Sequence, residues 1–308
     1  MTNEYQHFIS KCLLKHFKDK GKPIYKYENN IWTFHNIEKT GGENQFYGSP
    51  NCSIENTFSV IENYFSAIYK HSYLDKKDEA YMKLFILLSA NRSPSKNIIL
   101  SKVYKNYNDQ LLRYHSRDDI VSYLDYKFKE EDRFLSSLDD DPEMKKIVDA
   151  FPNSFDDSDE EKIFPSMAST LLKLLPKFSS FFRIQVFEST HDLIIGETPA
   201  LSVNLDTNEV KTNGEEAGLL EENILYWLPL ASNKVAFMYK PPNIKPAKNR
   251  ELRKEDADIL NYFQTKKSPY FYSRSMEIEI PDLPVDFNWV KHFNFIFAYK
   301  DIFNIYRQ

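Results

Sequence analysis

Four side chains of this sequence, His7, Glu62, Arg92 and Glu197, have the types that phosphodiester cleavage needs. An imidazole moves a proton near neutral pH, and a guanidinium holds a phosphate bidentately. Glu62 would serve as base, orienting group or metal ligand, with Glu55 seven residues earlier on the same helical side in support. Glu197 follows the strand-like run Leu193-Ile194-Ile195, where a general base or metal ligand often sits. Lys11 and Lys15 belong to a basic stretch that runs on through Lys18, Lys20, Lys22 and Lys26, and could contact nucleic acid. Each assignment has a plainer competitor. Glu62 with Arg92 also reads as a buried structural ion pair, Gly196-Glu197-Thr198-Pro199 as a tight hairpin turn, and the lysines as a solvated face.

These residues depend on the elements that would carry them. Ile54, Phe58, Ile61, Phe65 and Ile68 recur at helical spacing, so Ser53–Tyr69 is predicted as an amphipathic helix with Ser53 as its N-cap. A second helix is predicted over Asp78–Arg92, with Tyr81, Leu84, Phe85 and Leu88 on one face and Arg92 along it. A buried arginine needs an anionic partner, and Glu55 and Glu62 are the candidates. Residues 4–18 read as a short helix, with Ile9, Leu13 and Phe17 inward and the direction of His7 left open. Asn29-Asn30 separates two β-branched, aromatic runs in a hairpin over Ile24–Phe34, and Gly41-Gly42 marks a loop. Further helix is expected over Lys96–Arg113, Asp118–Leu138 and Ser166–Leu175.

The period changes after Phe181. FFRIQVFES, DLIIGETPALSV and ILYWLPLASNKVAFMYK read as strands with turns at Asp206–Asn208 and Gly214–Gly218. Leu252–Lys266 reads as a helix with Leu252, Ile259, Leu260 and Phe263 inward, SMEIEIP as an alternating strand, and Trp289–Tyr306 as a helix or edge strand. The fold class is therefore α+β: a helical N-terminal half with a small β-hairpin, then a mainly antiparallel sheet with flanking helices. The expected organisation is a helical lobe over 1–140, an acidic connection over 141–162 and an α+β lobe over 163–308, or one integrated domain over 1–308.

Composition excludes several classes. The 308 residues are 42% hydrophobic and 28% charged, a globular mixture. Only 7 glycines and no Walker or dinucleotide loop argue against a phosphate-cradling fold. A net charge of −5 gives no global attraction to nucleic acid, so RNA contact needs a local patch. Two cysteines make no disulfide scaffold, and with no signal-like N-terminus and no long apolar run the chain is expected to be cytoplasmic, away from membranes.

The order of motifs resembles a widespread bacterial family of unknown function that opens with H-Y-V-P-Q-x-Y-L-x-x-F. The match begins with His7 to Phe17 and continues through Ile24-Tyr25-Lys26-Tyr27, Phe46-Tyr47, Ile54-Glu55 with Ile61-Glu62, and Asn91-Arg92-Ser93-Pro94. Ile194–Pro199 stands where the family shows F-x-x-S-D-x-P. Leu228-Pro229-Leu230-Ala231 stands for its P-L-S-P, and Leu260-Asn261 and Tyr272-Ser273 for late L-N and Y-S positions. Ser10 replaces the usual Pro, and Gly196-Glu197 replaces Ser-Asp with a carboxylate one methylene longer. The resemblance transfers no reaction, but the His, Glu, Arg and acid-Pro positions recur together in it. Two functional expectations follow. One is an RNA-directed nuclease of a toxin or phage-defence kind, with a divalent metal as an optional cofactor. The other is a non-enzymatic binding or sensor protein with a structural polar core and a partner protein.

Overall fold

A computed structural model describes residues 5–44, 53–71, 74–90, 92, 182–211, 223–239, 251–280, 282–283 and 287–293. The elements are β1 (Tyr5–His7), α1 (Lys11–Leu14), a 3-10 turn (Lys15–Phe17), β2 (Ile24–Glu28), β3 (Ile31–His35), a second 3-10 turn (Ile37–Lys39) and β4 (Gly42–Asn44). They continue with α2 (Ser53–Ile68), α3 (Lys76–Ala90), β5 (Arg183–Ser189), β6 (Ile195–Gly196), β7 (Leu201–Asn204) and β8 (Glu209–Lys211). Last come β9 (Ile224–Ala231), β10 (Lys234–Tyr239), β11 (Glu251–Leu252), α4 (Lys254–Lys266), β12 (Tyr270–Ser273) and α5 (Trp289–His292). The class is α+β, as the change of period indicates.

The centre is a six-stranded sheet in the order β11-β5-β10-β9-β7-β8, antiparallel except where β11 joins β5. Alternation along its strands divides the core in two. Ile184, Val186, Tyr226, Leu228, Ala236 and Met238 face Phe58, Ile61 and Phe65 of α2 and the residues of α3. Phe187, Leu225, Trp227, Val235 and Phe237 face Ala257, Ile259 and Leu260 of α4, with Trp289 and Phe293. Covered on both sides, β9 is buried at every position, which is why its sequence is apolar without alternation. Pro229 lies within this central strand, and the register slips there: Val235 pairs with Pro229 but Lys234 with Ala231. A bulge accommodates a residue with no amide hydrogen to give to a ladder.

A second sheet, β3-β2-β12-β6, joins the early hairpin to strands from the far end of the chain. Asn29 and Asn30 both take positive φ, 50° and 64°, the primed turn that the sequence indicates. Gln264 and Asn261 of α4 hold the β6 region through backbone bonds. Asn261 accepts from Ile194 N and donates to the Asp192 carbonyl; Gln264 accepts from Gly196 N and donates to the Pro199 carbonyl.

Several expectations are corrected. Residues 4–18 are not one helix: Tyr5–His7 is a strand pairing with Gly42–Asn44, so Gly42 opens β4 rather than lying in a loop. The inward set Ile9, Leu13 and Phe17 is nonetheless fully buried. The second helix ends at Ala90, and it is buried all round from Ala80 to Ala90, because it lies between α2 and the six-stranded sheet. Leu252 is buried but belongs to β11. Residues 275–280 of SMEIEIP form no strand; Ser273 and Ser275 hydroxyls accept from Ser275 N and Glu277 N, which turns the chain instead. Of the tail expected over Trp289–Tyr306, the described part shows the short helix Trp289–His292, and residues 294–306 lie outside the described residues. The expected helices over 96–113, 118–138 and 166–175, the acidic segment 141–162, Phe46-Tyr47 and Gly214–Gly218 lie outside the described residues.

Candidate functional site

Strand β1 fixes His7. Gly42 faces it across the ladder, and any side chain there would collide with Gln6 O and come within 2.8 Å of His7 Cα. The imidazole Nε2 lies 3.2 Å from the Ile37 carbonyl, so Nε2 carries the hydrogen and Nδ1 is the acceptor nitrogen of this tautomer. Burial pushes the His7 pKa below its ordinary value. The Ile37 bond opposes that shift, and the Arg92 cation reinforces it. His7 is therefore neutral at pH 7. The Tyr5 ring meets it edge-on at 5.2 Å.

Arg92 comes two residues after α3 and is 3% exposed. Its Nη1 donates to Glu62 Oε1 and its Nη2 to the backbone carbonyl of His7. The guanidinium carbon lies 4.3 Å from the centroid of the Phe58 ring. Phe58 and Glu62 are one helical turn apart on α2, so a single helix face supplies both the aromatic floor and the counter-ion. The Glu62 side chain keeps 20% of its surface open to solvent. Of the two predicted partners, Glu62 pairs with Arg92; the Glu55 side chain lies outside what the structure describes.

Next to this pair, Ser10 Oγ and Cys12 Sγ are 2.8 Å apart. Burial, together with the Glu62 charge, pushes the Cys12 thiol up to about 12, so it stays protonated. Lys11 pairs with Glu38, and Lys15 is exposed. Among the described residues no three His, Cys, Asp or Glu side chains gather as a metal-binding set.

Glu197 is on a different element. It follows β6 in the four-stranded sheet, is 4% exposed, and its amide bonds the Tyr270 carbonyl. Burial raises the Tyr270 pKa, and the charges of Tyr272 and Glu197 add to that shift. Tyr272 is pushed up to about 12 by burial, against hydrogen bonds from Thr40 and Gly41. The structure thus brings His7, Glu62 and Arg92 together, while Glu197 is described beside Tyr270.

The geometry changes the role available to Arg92. Each terminal nitrogen donates to a protein oxygen, one on α2 and one on β1, so the enclosed guanidinium holds the β1 backbone against α2. Phe58, Cys12, Tyr5 and Gly42 were missed as members of the cluster. Only Phe58 carried a signal, since it lies four residues before Glu62 on a predicted helix.

No curated protein and no solved structure matches the chain. No helix among the described residues is long and apolar enough to cross a membrane. A model of the family described as proteins of unknown function, DUF4238, matches residues 5–306, and the chain belongs to that family.

Proposed function

We propose that this chain is a bacterial, cytoplasmic binding or sensor protein in which the His7–Glu62–Arg92 cluster is a structural polar core. The observation that carries this reading is the enclosure of Arg92, which is 3% exposed with both terminal nitrogens engaged. A cation so held ties three distant segments together, and at 3% exposure it offers a substrate little surface.

One observation favours a second reading, phosphodiester cleavage of RNA by a toxin or phage-defence effector. His7 is neutral, with its tautomer set by Ile37, as a general base requires, and Glu62 beside it is partly open. In that reading Arg92 is a positioning residue, Lys11 and Lys15 contact the RNA, and Glu62 is the carboxylate of the cluster available to a divalent metal.

Expression in bacteria of the wild type, His7→Ala and Glu62→Ala, with total RNA run on a gel and melting of the purified proteins, separates the two. The binding reading expects intact RNA in all three and lowered Tm in both variants. RNA degraded by the wild type but not by a His7→Ala protein of unchanged Tm overturns it.

A further inference from the structure

The four-stranded sheet has an open aromatic face that the polar cluster does not use. Tyr27 pairs with Trp32 on one side and with Phe271 on the other, and the three rings close into a triangular cluster in which Trp32 stands edge-on to the buried Phe271. Their centroids are 5.0 to 5.6 Å apart. Tyr25 and Phe34 make a second pair two positions along on the same face, and Phe34 is 77% exposed. This ring cluster lines a cleft of about 380 Å³. Tyr262, Thr265 and Lys266 of α4 also line it, as do Ile278, Ile280 and Asp282.

Two of these lining residues are charged. The Lys266 ammonium lies 5.1 Å from the Tyr262 ring centroid and forms no ion pair among the described residues. Asp282, which also lines the cleft, is exposed. Aromatic rings, a cation and a carboxylate around a cleft of this size complement a planar base with N–H donors on one edge and a phosphate on its sugar. The second aromatic pair continues the stacking surface beyond the first position. A platform with two stacking positions suits a strand better than a mononucleotide.

We infer that the face formed by Trp32, Tyr27, Phe271, Tyr25 and Phe34 binds single-stranded RNA, with one base in the cleft against Asp282, its phosphate on Lys266, and the next base on Phe34. This rests on the binding reading above and names its partner. One local lysine carries the electrostatics, so the salt dependence is shallow, a slope of about one phosphate.

Trp32 reports on the site directly, because the other two tryptophans, Trp227 and Trp289, are fully buried. The experiment titrates the purified full chain with a mixed-sequence five-nucleotide RNA, its duplex form, GMP, and tetramethylammonium, and follows Trp32 fluorescence. The expected result is saturable quenching by the single strand, with weaker binding of GMP and of duplex. Phe34→Ala and Lys266→Glu alter surface side chains, so the protein keeps its fold. Phe34→Ala weakens RNA binding by roughly 5- to 100-fold, the range for loss of one stacked base. Lys266→Glu weakens it and flattens the salt dependence. Absence of quenching overturns the inference, as do equal affinity for duplex, tetramethylammonium as the better ligand, or RNA affinity unchanged in both variants. Those failures leave the structural role of Arg92 untouched, because that role is read from Tm and RNA integrity.

Discussion

Gln264 holds Gly196 by its amide: the side-chain oxygen accepts from Gly196 N at 2.9 Å while the side-chain nitrogen donates to the Pro199 carbonyl at 2.9 Å. A helix side chain thereby serves as a short stand-in for a missing strand. It also positions the residues either side of Glu197. Replacement by leucine, of similar size, leaves a buried N–H and a buried carbonyl without partners. Gln264→Leu is expected to lower stability by about 2–4 kcal/mol, read by urea denaturation.

The Glu62–Arg92 pair gives an asymmetric expectation. Glu62→Ala leaves the Arg92 cation enclosed and half-paired, at a cost of about 2–4 kcal/mol, at the lower side of the buried range because Glu62 is partly exposed. Arg92→Met removes the charge along with its partner's need for it, and is expected to cost less. A chemical denaturation series on both variants checks the order; a larger loss for Arg92→Met contradicts it.

Gly42 sets how closely β4 approaches His7. Gly42→Ala forces the new methyl into Gln6 O and His7 Cα. A loss of about 2 kcal/mol or more is expected, with a shifted His7 resonance in NMR, because the strand that carries the imidazole must move.

Acid sensitivity follows from two histidines. Burial lowers the pKa of His7 and brings that of His16, stacked on Tyr69 at 3.7 Å, to about 4. In both, the folded state binds the proton less readily than the unfolded chain. Their contribution is complete above about pH 6.5 and is lost as pH falls toward the folded pKa. Tm is expected to drop between pH 6.5 and 5, and His16→Phe to flatten the drop. For the part-exposed His16 the effect is roughly 1 kcal/mol after allowance for screening.

Cys12 is expected to resist alkylation. With its pKa near 12, little thiolate exists at pH 8 in the native state. In a Cys52→Ser background, thiol titration should be slow in buffer and fast in denaturant; equal rates contradict the burial of the thiol.

The sequence shows some of this arrangement and hides the rest for definite reasons. Phe58, Ile61, Phe65 and Ile68 declare a helix face because their spacing is local, and all four are buried. The Arg92–Glu62 pair follows from a general need of an enclosed cation, although Arg92 lies beyond the helix that was expected to carry it. Tyr5–His7 is a strand only because Gly42–Asn44 pairs with it, and nothing within residues 4–18 announces that partner. In SMEIEIP the reverse holds: alternation is present, but no sheet edge takes it up. The aromatic cluster is invisible in the sequence for the same reason, since Phe271 meets Tyr27 through a register between opposite ends of the chain.

That last pairing bears on how the protein is made. The β2–β3 hairpin emerges early from the ribosome, yet its inner neighbour β12 is among the last elements synthesised. Until then Tyr25, Tyr27 and Trp32 face solvent beside an unpaired strand edge, an adhesive surface for other nascent chains. The growing chain therefore passes most of its synthesis unable to close its second sheet, and a truncation before residue 270 leaves that edge permanently open.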